Sequence, residues 1–309
     1  MTAMAEARYQ LLPNRSLDAT DVMVLPVPYE HTVSYRPGTA QAPAAILAAT
    51  AQLEYYDEDQ RWSPFKHMGV TVLPSHEKRP HESEHDFHRR LKQYVASLPS
   101  QPLLLALGGE HSITPALIQG RMDAPGTVVL LDAHADLRRE FEGTRFSHAC
   151  PMHHVREAGH EILMAGVRSL LDEEAARIDA DPGIHCFMDR ELQRSERWQA
   201  LLDALNALSG SIWLTIDMDV FDPAAVPGVG TPQPGGLSWY QALAIIEACL
   251  FNQRVVLRGC DLVELVPESS RVSDMTAAKL SHKLISCWGK SQQLDKRPVQ
   301  GSQTEVDYH

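Results

Sequence analysis

Two stretches of the chain crowd carboxylates and imidazoles into alternate positions. "DAHAD" spaces Asp132, His134 and Asp136 two residues apart directly after the apolar run "TVVLL", and "DMDVFDP" spaces Asp217 and Asp219 likewise after "SIWLTI". Side chains alternate across an extended strand, so each set faces one way if the strand geometry persists. Two like-charged clusters at neighbouring strand ends repel each other unless cations lie between them. Capping and turn formation account for single aspartates, and Asp222, which precedes Pro223, reads as such a turn former. They do not account for five residues together, with His111 of "GGEHS" as a sixth. The six therefore read as a metal site. Two imidazoles, four carboxylates and no cysteine form a hard, oxygen-rich set that suits octahedral manganese better than tetrahedral zinc. One catalytic ion with an open position does not use six protein ligands. Two ions bridged by shared carboxylates do, and such a pair generates a hydroxide nucleophile near neutral pH.

The elements around these residues alternate in type. Eight short apolar runs read as strands, beginning at Val22, Gly69, Pro102, Thr127, Ile162, Ile184, Ser211 and Arg254. Helical patterns such as "APAAILAATAQL", "ESEHDFHRRLKQYVASL", "SERWQALLDALNALS", "LSWYQALAIIEACL" and "SDMTAAKLSHKLISCW" lie between them. Several runs are too uniformly apolar for a sheet with one wet face, so the fold class is α/β, a parallel sheet of about eight strands covered by helices on both sides. Ligands in such sheets sit beyond the carboxyl ends of the strands, which is where "GGEHS", "DAHAD", "DMDVFDP" and "DLVE" fall. No internal repeat or low-complexity linker divides the chain. The expectation is one domain over residues 1–290 and a polar, poorly ordered tail over 291–309.

With 309 residues and 44% hydrophobic content, the chain is long enough to bury a sizeable core. Its 28 basic against 40 acidic residues leave a net charge of −12, which argues against nucleic acid as a partner. Five scattered cysteines without a C-x-x-C pair indicate neither a disulfide framework nor a zinc knuckle. The longest apolar runs are strand-sized and no charged leader precedes them, so a cytoplasmic protein without a membrane partner is expected. Glycines in "GGEH" and "PGVGTPQPGG" lack phosphate-loop spacing and read as backbone freedom around a crowded site. "SYRPG", from Ser34 to Gly38, reads equally as a substrate-entrance loop or a plain turn.

"GGEHS", "DAHADLR", "SHACP", "TIDMDVFDPAAVPGVGTPQPGG" and "DLVELVP" stand in an order that resembles the manganese-dependent ureohydrolases, the arginases and agmatinases. "VPYEHTVSYRPGTAQAPAAI" is similar to that family's entrance region, and the resemblance runs from about Val22 to Trp288. It implies the arginase-like three-layer α/β/α fold and a homotrimer or homohexamer. It also implies two Mn2+ per chain, one held by His111, Asp132, Asp136 and Asp217 and the other by Asp132, His134, Asp217 and Asp219. Asp132 and Asp217 would bridge. The implied reaction is hydrolysis of a small cationic guanidino substrate to urea and an amine. The catalytic residues would be Asp136, passing a proton to the departing nitrogen, His148, carrying protons at the mouth, and Glu264, holding the guanidinium. Without the resemblance, His148 is one of fifteen histidines and Glu264 an ordinary strand-end charge. His153 and His154 fall outside the pattern and read as helix-surface residues.

Arginine-specific members carry an asparagine where this sequence has Arg138, so the pattern looks more like the agmatinase branch, with agmatine cleaved to putrescine and urea. Glu140 or Glu142 would then stand near the substrate amine. Arg138 and Arg145, if they point inward, would suit a carboxylated substrate such as guanidinobutyrate. A small-guanidine or formimidoyl-glutamate hydrolase on the same fold, with a nickel preference, is the alternative. A non-catalytic binding relative fits less well, because all six ligand positions are filled.

Overall fold

The computed structural model describes residues 6–299. Each of the eight apolar runs forms a strand: β1 (Val22–Val27), β2 (Val70–Val72), β3 (Leu103–Gly108), β4 (Thr127–Leu131), β5 (Glu161–Ala165), β6 (Ile184–Phe187), β7 (Gly210–Asp217) and β8 (Val255–Val263). They pair in parallel as one sheet in the order β2-β1-β3-β8-β7-β4-β5-β6. Alternate residues feed different cores. Val129 and Leu131 of β4 join one cluster, while Val128 and Leu130 join the other, so both faces are dry.

The helices are α1 (Ala42–Thr50), α2 (Glu84–Ser97), α3 (Thr114–Arg121), α4 (Pro151–Glu157), α5 (Asp172–Ala180), α6 (Asp189–Leu192), α7 (Ser195–Ala207), α8 (Trp239–Leu250) and α9 (Val272–Ser291). Helices α1, α7, α8 and α9 cover one face through residues such as Ile46, Leu201, Ile246 and Leu284. Helices α2, α3 and α4 cover the other through Phe87, Leu117 and Met152. Local signals start two of the longer ones. Ser83 accepts from the Asp86 amide at 3.1 Å to cap α2, and Ser238 and Gln241 cap each other at the start of α8. Helices α3, α4 and α6 are too short to carry a legible period, and α5 (DEEAARIDA) is mostly charged and small, so none of the four stands out in the sequence.

Strands β3, β8, β7 and β4 are neighbours at the sheet centre, although β3 and β4 are consecutive in sequence. Register aligns Leu131 with Ile216 and Asp217 with Val263, which brings Asp132 beside Asp217 and places Glu264 one step beyond. Gly109 is required by close approach rather than by freedom: a Cβ there would lie 1.9 Å from the Tyr29 carbonyl oxygen. Gly259 likewise clears space for the Trp213 ring, which a Cβ would meet at 2.4 Å.

The segment expected to form a loose tail is docked where it is described. Ser291 closes α9, Leu294 is buried, and Arg297 donates to Asp21 at 2.7 Å. One apolar residue gives this otherwise polar stretch an anchor. Residues 300–309 lie outside the described residues. Among the described residues no helix is long and apolar enough to cross a membrane.

Candidate active site

The strand ends converge on one acidic cluster. His111 begins a short 3-10 turn after β3, and its Nδ1 lies 3.2 Å from Asp132 Oδ2, 3.1 Å from Asp136 Oδ2 and 3.4 Å from Asp217 Oδ2. His134 Nδ1 lies 3.0 Å from Asp219 Oδ2 and 3.6 Å from Asp132 Oδ1. Candidate ligand atoms of His111, Asp132 and Asp217 lie within 4.8 Å of one another, as do those of Asp132, His134 and Asp219. Asp132 thus belongs to both groups, and Asp217, expected to bridge, joins the first.

Strand alternation brings only part of this set together. Strand β4 ends at Leu131, and Asp136 reaches the cluster through a left-handed backbone at φ 52°. Asp217 and Asp219 are related by a 3-10 turn, capped by Asp217 Oδ1 accepting from the Asp219 amide at 2.8 Å. Glu264 also sits at positive φ, 63°, a conformation that costs a residue with a Cβ about 1–3 kcal/mol. The turns after β4, β7 and β8, not the pleat, aim these carboxylates.

A buried layer behind the cluster decides which nitrogen of His111 faces it. Thr215 donates its hydroxyl proton to Asp261 Oδ1 at 2.5 Å, so at 2.9 Å it accepts from His111 Nε2. Asp261 is held by two further donors, Trp213 at 2.5 Å and Thr114 at 3.0 Å, which offset the upward pull of burial on its proton affinity. The lone pair of His111 Nδ1 therefore points at the carboxylates. His111 Nδ1 and Asp132 Oδ2 are buried and make no hydrogen bond, which is the state of ligand atoms aimed at a common cation.

The carboxylates favour positive charge at His111 Nδ1, whether it is a proton or a metal ion. Burial disfavours a charged His111, yet Asp132, Asp136 and Asp217 raise its proton affinity well above the ordinary imidazole value. Burial, reinforced by the charge of Asp132, pushes Asp136 up to about 7. Burial and the charges of Asp219 and Asp132 raise Asp217 as well. Carboxylates crowded in this way bind cations in proportion to their repulsion, and two imidazoles with four aspartates fit a pair of hard divalent ions.

A cavity of about 300 Å3 opens over the cluster, lined by His134, Asp136, Asp217 and Glu264 at its floor and by Ser34 and His148 at one side. Glu264 Oε1 accepts from the His111 amide at 2.6 Å, and burial together with the charge of Glu110 raises its proton affinity well above the usual range. His148 is pushed down to about 4, first by burial and then by neighbouring cationic groups. Ser34 Oγ stands 3.3 Å from His148 Nε2, so the "SYRPG" stretch forms part of the rim.

At the far end the cavity meets a broad groove, and Arg138, Leu171 and Glu174 line both. Arg138 lines both the cavity and the groove, with its guanidinium stacked 4.4 Å over the Phe141 ring and no ion-pair partner among the described residues. Arg145 points away and pairs with Glu157 at 3.0 Å. Glu140 lines the groove rather than the cavity, and Glu142 is exposed in a turn at φ 50°. The carboxylate at the cavity end is Glu174, which accepts from the Leu137 amide at 2.9 Å and the Leu171 amide at 2.8 Å. Its only sequence signal is the acidic start of α5, which reads as ordinary helix-end charge. His153, expected at the surface, is buried and bonded to Arg177, because α4 packs that side inward.

Residues 20–287 match the model of the Arginase family. A Synechocystis protein named N(1)-aminopropylagmatine ureohydrolase is 39% identical over 88% of this chain and 90% of its own. An agmatinase of Pyrococcus horikoshii is 31% identical over 89% of this chain and 94% of its own. The crystal structure of an agmatine ureohydrolase from Thermoplasma volcanium superposes with a TM-score of 0.81 at 24% identity, covering 95% of this chain and 97% of that one. A parallel eight-stranded sheet, an acidic cluster at its central strand ends and these similarities converge: the chain belongs to the arginase family, as an agmatinase-like ureohydrolase.

Proposed function

We propose that this protein hydrolyses the guanidino end of a polyamine, releasing urea, and that its substrate is agmatine or, preferentially, agmatine extended by an aminopropyl group. The observation that carries this reading is the continuity of the cavity. Asp136, Glu264 and Glu174 line it together, and Glu174 also lines the adjoining groove, which leaves room for a long tail with a carboxylate beside it. The name of the Synechocystis relative supports the longer substrate.

In this reading His111, Asp132, His134, Asp136, Asp217 and Asp219 hold two manganese ions, which supply Lewis acidity and lower the pKa of water when bound. Glu264 receives the guanidinium and aligns its carbon over the cluster. Asp136, which lines the cavity together with Glu264, accepts the proton of the attacking water and hands it to the departing nitrogen. His148, at the side of the cavity, carries the further proton between solvent and the leaving amine. The family's oligomeric form, a homotrimer or hexamer, is part of the same reading and is checked by light scattering.

A guanidino acid such as guanidinobutyrate is the second reading, favoured by Arg138, which lines the cavity and has no ion-pair partner among the described residues. Urea release with manganese across aminopropylagmatine, agmatine, guanidinobutyrate and arginine separates the readings by kcat/KM. A preference for the carboxylated compound overturns the first, and no urea from any of the four overturns both.

A further inference from the structure

Behind His148 lies a buried carboxylate that the reaction itself does not use. Glu110 is 1% exposed and accepts four hydrogen bonds. Oε2 takes the amides of His31 at 2.7 Å and Thr32 at 2.8 Å, and Oε1 takes the hydroxyls of Thr32 at 3.0 Å and Ser112 at 2.6 Å. The Thr32 hydroxyl has one proton, and it goes to Glu110. Its two lone pairs must then be filled by donors. The His148 amide supplies one at 3.0 Å, and the second partner is His148 Nδ1 at 3.1 Å. A hydroxyl that has spent its proton only accepts, so Nδ1 must carry hydrogen. The ring's other nitrogen, Nε2, keeps its lone pair and faces Ser34 at 3.3 Å on the cavity side.

We infer that Glu110 and Thr32 are positioning residues that fix His148 in the Nδ1–H tautomer, so that the nitrogen presented to the cavity is the one able to take up a proton. Glu110 joins two functions across one residue step, because His111 beside it points its own lone pair at the acidic cluster. The same device operates twice: a buried carboxylate claims a threonine proton, and the threonine then dictates the histidine. Asp261 and Thr215 do this for His111, and Glu110 and Thr32 do it for His148. The entrance segment thereby contributes to the site, since Thr32 and Ser34 hold both ring nitrogens.

This inference rests on the proposed role of His148, but its test does not depend on turnover. The 15N shifts of the His148 ring are measured in the full-length protein loaded with zinc as a diamagnetic ion. The Nδ1–H form is expected in the unaltered protein. Glu110→Gln keeps a carbonyl oxygen for the two backbone amides but turns an NH2 toward Thr32. The threonine then donates to Nδ1, and the ring switches to Nε2–H. Thr32→Val removes the constraint and should lower kcat about tenfold with KM and metal content unchanged, a fraction of what general acid–base groups contribute. Thr32→Ser should restore it, and adding Thr32→Val to His148→Ala should cost nothing further. An Nε2–H ring in the unaltered protein, or an unchanged tautomer in both variants, overturns the inference. So does additivity of the Thr32 and His148 substitutions. If no guanidine is hydrolysed, the proposed function fails while the shifts still decide the tautomer.

Discussion

Glu264→Gln separates a substrate clamp from a structural carboxylate, because the substitution changes charge and leaves shape. Among the described residues, Glu264 receives one hydrogen bond, from the His111 amide to Oε1 at 2.6 Å, and glutamine can accept it equally well through its carbonyl. The metal ligands stay in place, and two ions per chain should remain. What changes is the second oxygen, where an NH2 would confront a guanidinium that has only donors. A hydrogen bond between charged partners in a site withdrawn from water is worth about 1.5–3 kcal/mol, so kcat/KM should fall about tenfold to a hundredfold. The assay is urea release at saturating manganese, with metal content measured on the same samples. Glu264→Ala should in addition leave the His111 amide without an acceptor and lose about 1–3 kcal/mol of stability in urea denaturation, which the glutamine variant keeps. Loss of an ion in Glu264→Gln, or an unchanged kcat/KM, would refute the assignment.

Asp132→Asn should reduce the binding of both ions, because Asp132 belongs to both ligand groups, whereas His134→Ala should release one; metal analysis after dialysis distinguishes them. Acid should destabilise the fold through buried histidines. Burial holds His282 down to about 4, below its unfolded value near 6.5, so its contribution is complete above pH 6.5 and lost as pH falls toward 4, about 3 kcal/mol in all. His76, held down to about 4 by burial and Arg90, acts in the same direction, and urea denaturation of His282→Gln and His76→Gln against the unaltered protein across pH 4–7 isolates each contribution. Lys283→Met should cost about 3–5 kcal/mol, because it strips the buried ammonium 2.7 Å from buried Asp57, and adding Asp57→Asn should recover part of the loss.

All eight strands and the helices α1, α2, α7, α8 and α9 are legible in the chain because each is decided by local pattern, apolar runs for strands and a helical period for helices. The ligand set is legible for a related reason. Charged residues directly after buried strands have no role in a core, so His111, Asp132 and Asp217 announce an edge where something binds, whereas Glu264 stands out only through the family resemblance. The pleat, however, does not aim Asp136 or Asp219. Left-handed and 3-10 turns do, and those are stabilised by contacts made only after the sheet has assembled. Four segments distant in sequence become neighbours through the strand order β3-β8-β7-β4, which no local signal encodes. Glu174, Glu110 and Thr32 were hidden for the same reason. A glutamate at a helix start, or beside a glycine pair, looks like any solvated charge until folding removes the water around it. What then decides its role is which donors remain within reach, and those come from residues as far away as Thr32, 78 positions from Glu110.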